Sequence, residues 1–191
     1  LPDIQQGLEM AQALGLPAIK LNAVLLRGLN DDELPQWMDF LRERPVSVRF
    51  IELMRTGDNE AYFLQHHRRA DEVITQLLEA GWSERPRYPD AGPAREFGHP
   101  GHRGTVGIIA PYARDFCSSC NRVRVTATGR LLLCLGQENS VDLREALRAS
   151  ANPQQEVRTR IINAMQHKPE KHTFDLDDEP QIVRFMNMTG G

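Results

Sequence analysis

Cys117, Cys120 and Cys134 are the only cysteines of this chain. A Cys-x2-Cys pair presents two thiolates from one tight turn, and a hairpin can return a third to the same centre. If the hairpin loop is residues 127–129 with Gly129 in the left-handed conformation, Thr126 opposes Arg130 and the ladder sets Cys134 against Arg122. Cys134 then lies two positions from Cys120 on one sheet face. An odd number of thiols cannot close as a disulfide framework, and clustered thiols in a cytoplasmic chain hold a metal or do redox work. The spacing leaves two fillings open. One is a zinc ion with His99 or His102 as fourth ligand; the other is a 4Fe-4S cluster with one iron free of protein ligands.

Arg122-Val123-Arg124 follows the second thiol almost directly. Residues two apart on a strand share a face, so the two guanidiniums can form a fork for phosphate or another anion. The bland alternative is a solvated edge strand. Polar groups also interrupt two apolar runs: Lys20 and Asn22 in residues 18–26, Arg49 and Glu52 in residues 46–54. Such charges are costly in a strand covered on both faces unless they are paired or meet a ligand. A Lys20–Glu52 ion pair competes with ligand binding. His66, His67, His167 and His172 show no partner pattern and read as surface or packing residues.

The elements that must position these groups follow from periodicity. Ile4, Leu8, Ala11 and Leu14 predict an amphipathic helix stopped by Gly15 and Pro17. Residues 18–26 read as a strand covered on both faces of a parallel sheet. Asn30 is placed as N-cap, with Glu33 three residues on, of a helix whose stripe is Leu34, Trp37, Met38 and Leu41; Pro45 ends it. Val46–Met54 is a second strand and Asp71–Ala80 a helix capped by Gly81. Residues 86–104, with four prolines and four glycines, read as a long loop. Thr105–Ala110 is a strand and Arg122–Leu135 a hairpin. Helices are expected over Asp142–Ser150 and Pro153–His167, the second capped by Asn152. The order predicts an α/β fold.

With 191 residues, 23 Lys+Arg against 26 Asp+Glu and a net charge of −3, the chain has room for one large or two small domains. The charge balance argues against nucleic-acid coating. No run approaches the roughly 18 apolar residues of a membrane span, and no signal pattern opens the chain, so a cytoplasmic location is expected.

The run Phe116–Gly136 resembles the C-terminal cluster motif of the molybdenum cofactor biosynthesis protein A family, the radical S-adenosylmethionine GTP 3′,8-cyclases. Lys20-Leu-Asn22, Asn30-Asp-Asp-Glu33, Arg49-Phe-Ile-Glu-Leu-Met54 and the closing Gly190-Gly191 fit the same family in the same order. The resemblance favours iron-sulfur over zinc. It implies a GTP-cyclising lyase that begins synthesis of the molybdenum cofactor pterin. Cys117, Cys120 and Cys134 would hold a 4Fe-4S cluster whose open iron meets guanine. Lys20, Arg49, Arg122 and Arg124 match GTP-contacting positions, and Met54 matches one near the adenosine of S-adenosylmethionine. The double glycine would enter the active site.

The family's Cys-x3-Cys-x2-Cys motif, which carries a second 4Fe-4S cluster and generates the radical, does not occur in this sequence. The chain is therefore expected to be the C-terminal portion of a longer enzyme, inactive alone. Residues 1–60 would be the C-terminal remnant of an incomplete radical S-adenosylmethionine (β/α) barrel. Residues 61–167 would form an α+β domain with the cluster-binding hairpin, and 168–191 a tail. GTP and S-adenosylmethionine are the implied partners, and a homodimer is left open. The rival readings are a zinc- or nucleotide-binding module without catalysis, and an auxiliary-cluster domain of a peptide-modifying radical enzyme.

Overall fold

The computed structural model describes residues 2–56, 59–88, 91–118 and 120–172. The expectation for Gly190 and Gly191 lies outside the described residues. The chain divides into two compact units, one of Leu1–Leu53 with Tyr62–Ala110, the other of Met54–Ala61 with the residues from Pro111 onward.

The first unit carries α1 (Pro2–Ala13), β1 (Lys20–Leu25), α2 (Leu34–Glu43) and β2 (Ser47–Glu52). Of α3 (Glu60–His66), Glu60 and Ala61 count with the second unit and the rest with the first. α4 (Ala70–Glu79), β3 (Ser83–Glu84), β4 (Arg95–Gly98) and β5 (Thr105–Ile109) complete the first unit. Its five-stranded sheet runs β1-β2-β5-β4-β3. β1, β2 and β5 are parallel, as the α/β pattern predicts, while β4 and β3 add antiparallel strands at the far edge. Residues 86–104 are thus not all loop. β4 escapes the sequence pattern because it is four residues long between prolines and glycines, and its main anchor is the fully buried Phe97.

Two-residue alternation sorts the parallel strands into faces. Val48 and Phe50 of β2 and Val106 and Ile108 of β5 are buried, as are Leu34 and Leu41 of α2 and Val73, Ile74 and Leu77 of α4. The opposite face is open. Lys20, Asn22 and Val24 of β1 are exposed there, and Arg49 and Ile51 of β2 are half-buried. β1 is therefore not covered on both faces as expected; it is an edge strand, and a lysine there stays in water. α1 forms where periodicity places it, yet it has no buried residue.

Asn30 does not cap α2, whose N-cap is Glu33. Its amide instead locks the turn after β1: Oδ1 accepts from the Leu26 N–H (2.9 Å) and Nδ2 donates to the Val24 carbonyl (2.9 Å). A short amide side chain suits such backbone groups at a strand end better than a helix that begins four residues later. The C-cap of α4 is Ala80 rather than the expected Gly81, which follows it in the left-handed conformation at φ 84°.

The second unit holds the antiparallel sheet β6 (Arg124–Val125), β7 (Arg130–Leu132) and β8 (Ser140–Asp142), followed by α5 (Arg144–Ala149) and α6 (Pro153–Met165). Leu131, Leu133, Leu143 and Ala164 form its core, with Val141 and Ile161 against them. The helix expected from Asp142 starts later, because Ser140–Asp142 pairs with β7 first. Asp142 still serves that helix: its Oδ1 accepts from the Glu145 N–H at 3.1 Å. Asn152 caps α6 as predicted, accepting from the Gln155 N–H. Among the described residues no helix is long and apolar enough to cross a membrane.

Candidate functional site

In the second unit the hairpin folds as its sequence dictates. Gly129 takes φ 81°, its N–H donates to the Thr126 carbonyl, and the Thr126 N–H donates to the Arg130 carbonyl (2.9 Å each). Arg124 pairs with Leu132 and Val125 with Leu131, the register expected. The ladder stops there, so the pairing of Arg122 with Cys134 is not made by strand hydrogen bonds. Cys117 and Cys120 sit on one turn closed by the Cys120 N–H donating to the Cys117 carbonyl (3.0 Å). Cys134 follows β7, and its Sγ accepts from the Gly136 N–H at 3.4 Å.

None of the three cysteines forms a disulfide; Cys120 is exposed and the others are half-buried. Burial pushes the Cys134 thiol above its ordinary pKa, and the negative charge available at Cys117 and Cys120 pushes it further, while the Gly136 N–H and the Lys168 ammonium pull it down. Among the described residues there is no group of three or more His, Cys, Asp or Glu side chains that could hold a metal ion.

Two residues that periodicity did not single out touch this centre. Lys168 Nζ donates to the carbonyls of Arg122 (2.9 Å) and Leu133 (2.6 Å) and lies 4.0 Å from Cys120 Sγ. The His172 N–H donates to Cys117 Sγ at 3.4 Å, and its ring Nε2 donates to the Pro111 carbonyl at 2.6 Å. Arg122 and Arg124 are exposed beside the thiols.

The open face of the first unit is the second candidate. Asn22, Arg49 and Gly107 are register partners on β1, β2 and β5, and Glu96 of β4 pairs with Gly107. Arg49 lies across Gly107, whose added Cβ would stand 2.8 Å from Arg49 Cγ, and its Nη2 donates to Glu96 Oε1 at 3.1 Å. The Arg49 side chain is 16% exposed, and its buried Nε has no hydrogen-bond partner among the described residues. A cavity of ≈ 220 Å³ opens beside it, bordered also by Arg85, Arg87 and Arg95. Glu84 and Glu96 border it as well, Glu84 paired with Arg95 and Glu96 with Arg49, so the surface is of mixed charge.

Lys20 and Glu52 do not pair. Their register places them on opposite faces, and the 4% exposed Glu52 carboxylate meets His67 Nε2 at 2.9 Å. His99 and His102, the candidates for a fourth zinc ligand, belong to the unit without cysteines. Their Nδ1 atoms are 2.8 Å apart and both rings lie against Trp82. Met54 is half-buried, its carbonyl accepting from Asn59 Nδ2 at 3.0 Å.

Residues 46–174 match the family model described as Molybdenum Cofactor Synthesis C. Among similar proteins, the GTP 3′,8-cyclase of Stenotrophomonas maltophilia (strain R551-3) is 78% identical over 147 residues, covering 77% of this chain and 45% of that protein. The GTP 3′,8-cyclase of Tolumonas auensis is 42% identical over 191 residues, covering 100% of this chain and 56% of that protein. That of Yersinia pestis is 43% identical over 188 residues, covering 98% and 57%. The chain thus spans about half the length of the relatives it matches. It belongs to the Molybdenum Cofactor Synthesis C family, with GTP 3′,8-cyclases as its relatives.

Proposed function

We propose that this chain supplies the GTP-binding side and the C-terminal 4Fe-4S site of a GTP 3′,8-cyclase, a radical S-adenosylmethionine lyase of molybdenum cofactor synthesis. The observation that carries this reading is the cysteine centre. Cys117 and Cys120 share one turn and Cys134 follows a strand of the next hairpin, N–H groups of Gly136 and His172 donate to two of the sulfurs, and a lysine stands beside the third. Thiolate ligands with N–H···S donors fit an iron-sulfur cluster, whose potential such bonds help set.

Cys117, Cys120 and Cys134 would hold the cluster, losing their protons as it binds. When bound, it supplies an iron without a protein ligand, to which the guanine base can coordinate. Arg122 and Arg124 would take phosphate oxygens by charge-assisted hydrogen bonds, and Lys20 and Arg49 are the further GTP-contacting candidates. Met54 would lie near S-adenosylmethionine. β1 and β2, parallel and joined through α2, are the unit from which a (β/α) barrel is built, and this supports reading residues 1–60 as part of one.

Iron and acid-labile sulfide analysis of anaerobically purified protein tests the reading. About four irons and four sulfides per chain at this site are expected, falling sharply in Cys134→Ser. One zinc and no sulfide would contradict it.

A further inference from the structure

The two contacts that Lys168 and His172 make at the thiols concern the same short segment, which strand periodicity left as the polar start of a tail. Antiparallel pairing of the hairpin ends at Arg124 and Leu132, two residues short of Cys134. Beyond that point the carbonyls of Arg122 and Leu133 belong to no ladder. Lys168 takes both, at 2.9 and 2.6 Å, so one ammonium ties the arm that follows Cys120 to the arm that ends at Cys134. A lysine ammonium has three protons; two serve these carbonyls, and Cys120 Sγ lies 4.0 Å away. Four residues on, His172 repeats the pattern on the other side. Its ring is pinned to the Pro111 carbonyl and stands edge-on to Phe116, and its backbone N–H meets Cys117 Sγ. The segment therefore touches both thiols of the Cys-x2-Cys turn and both arms of the hairpin.

We propose that residues 168–172 form a clasp over the cysteine centre, with Lys168 the positioning residue that closes the hairpin and places a fixed positive charge beside the cluster. This rests on the cluster reading above. A cation beside a cluster favours its reduced, more negative form and so raises its reduction potential. The same ammonium replaces the missing rungs of the ladder, so that Cys134 is held in reach of Cys117 and Cys120.

The test uses full-length, anaerobically reconstituted protein containing this chain, with Lys168→Met and Lys168→Arg beside wild type. Iron and sulfide content, the rate of iron loss to a chelator and the midpoint potential of the cluster bound by Cys117, Cys120 and Cys134 are measured. Lys168→Met is expected to lose iron several-fold faster and to shift the potential to more negative values. Lys168→Arg, which keeps charge and donors, should retain a potential near wild type. A merely structural role would speed iron loss in Lys168→Met and leave the potential of the remaining cluster unmoved, which would overturn the electrostatic half of the proposal. If wild type carries the cluster and Lys168→Met matches it in both readouts, the clasp is refuted while the functional reading stands. If wild type holds no cluster at this site, the functional reading itself falls, and the clasp with it.

Discussion

At the scale of single residues, what each side chain can do chemically decides what its contact is worth. Arg124 follows Cys120 on an exposed short strand, and a direct phosphate contact from it is a charge-assisted bond of about 1.5–3 kcal/mol. Arg124→Ala is thus expected to weaken GTP binding about 10- to 150-fold in the full-length protein, with Arg124→Lys recovering only part of the loss. Titration of the three proteins at two salt concentrations checks this; equal affinities would return Arg122 and Arg124 to the role of a solvated strand face. The thiols and arginines were legible because they are close in sequence and chemically distinctive. Lys168 and His172 were not, since their partners lie 46, 35 and 55 residues away and nothing in local pattern announces contacts of that span.

At the scale of elements, close approach and turn geometry decide. Arg49 can cross β5 to reach Glu96 only because position 107 has no side chain. Gly107→Val is expected to displace Arg49 and lower nucleotide affinity several-fold. Glu96→Gln, which keeps the volume, should have a smaller effect, and binding measurements on both variants distinguish the two. Gly129 is the corresponding lever in the hairpin. At φ 81°, with an added Cβ only 3.0 Å from Arg144 Cβ, Gly129→Ala should cost about 1–2 kcal/mol of stability by denaturant unfolding. The hairpin register was readable from the turn glycine alone, because one left-handed residue fixes which positions face one another. β4 was not readable: four residues between prolines and glycines carry no period, and it is a strand only because β5 offers an edge. The misplacement of Asn30 has a similar cause. The same amide chemistry suits a helix cap and a strand-end turn, and only the fold chooses.

At the scale of the whole chain, charge and composition shape the expectations. His102 is held below its ordinary pKa of 6.5 first by burial, then by the charges of His99 and Arg42. The unfolded chain therefore binds this proton more readily. The contribution of neutral His102 is complete above about pH 6.5 and is lost as the pH falls from there toward its lower folded value. Thermal unfolding between pH 8 and 5 should show wild type losing more stability on acidification than His102→Gln, and parallel curves would refute this. Catalysis follows the same logic of what the chain contains. The proposed function uses all three cysteines of this chain for one cluster, and on that proposal this chain alone is expected to form no 5′-deoxyadenosine from S-adenosylmethionine. Product analysis checks that. α1 shows how far sequence reaches at this scale: its periodicity predicted a helix, and one forms, yet Ile4, Met10 and Leu14 remain exposed because nothing in the described fold packs on them.

The central claim is that Cys117, Cys120 and Cys134 hold a cluster with an iron open to guanine. Its most direct test is the electron paramagnetic resonance spectrum of that reduced cluster, recorded in full-length protein without and with GTP. The expected spectrum changes on GTP addition and is absent in Cys134→Ser. A cluster signal that survives loss of Cys134, or that GTP leaves untouched, would contradict it.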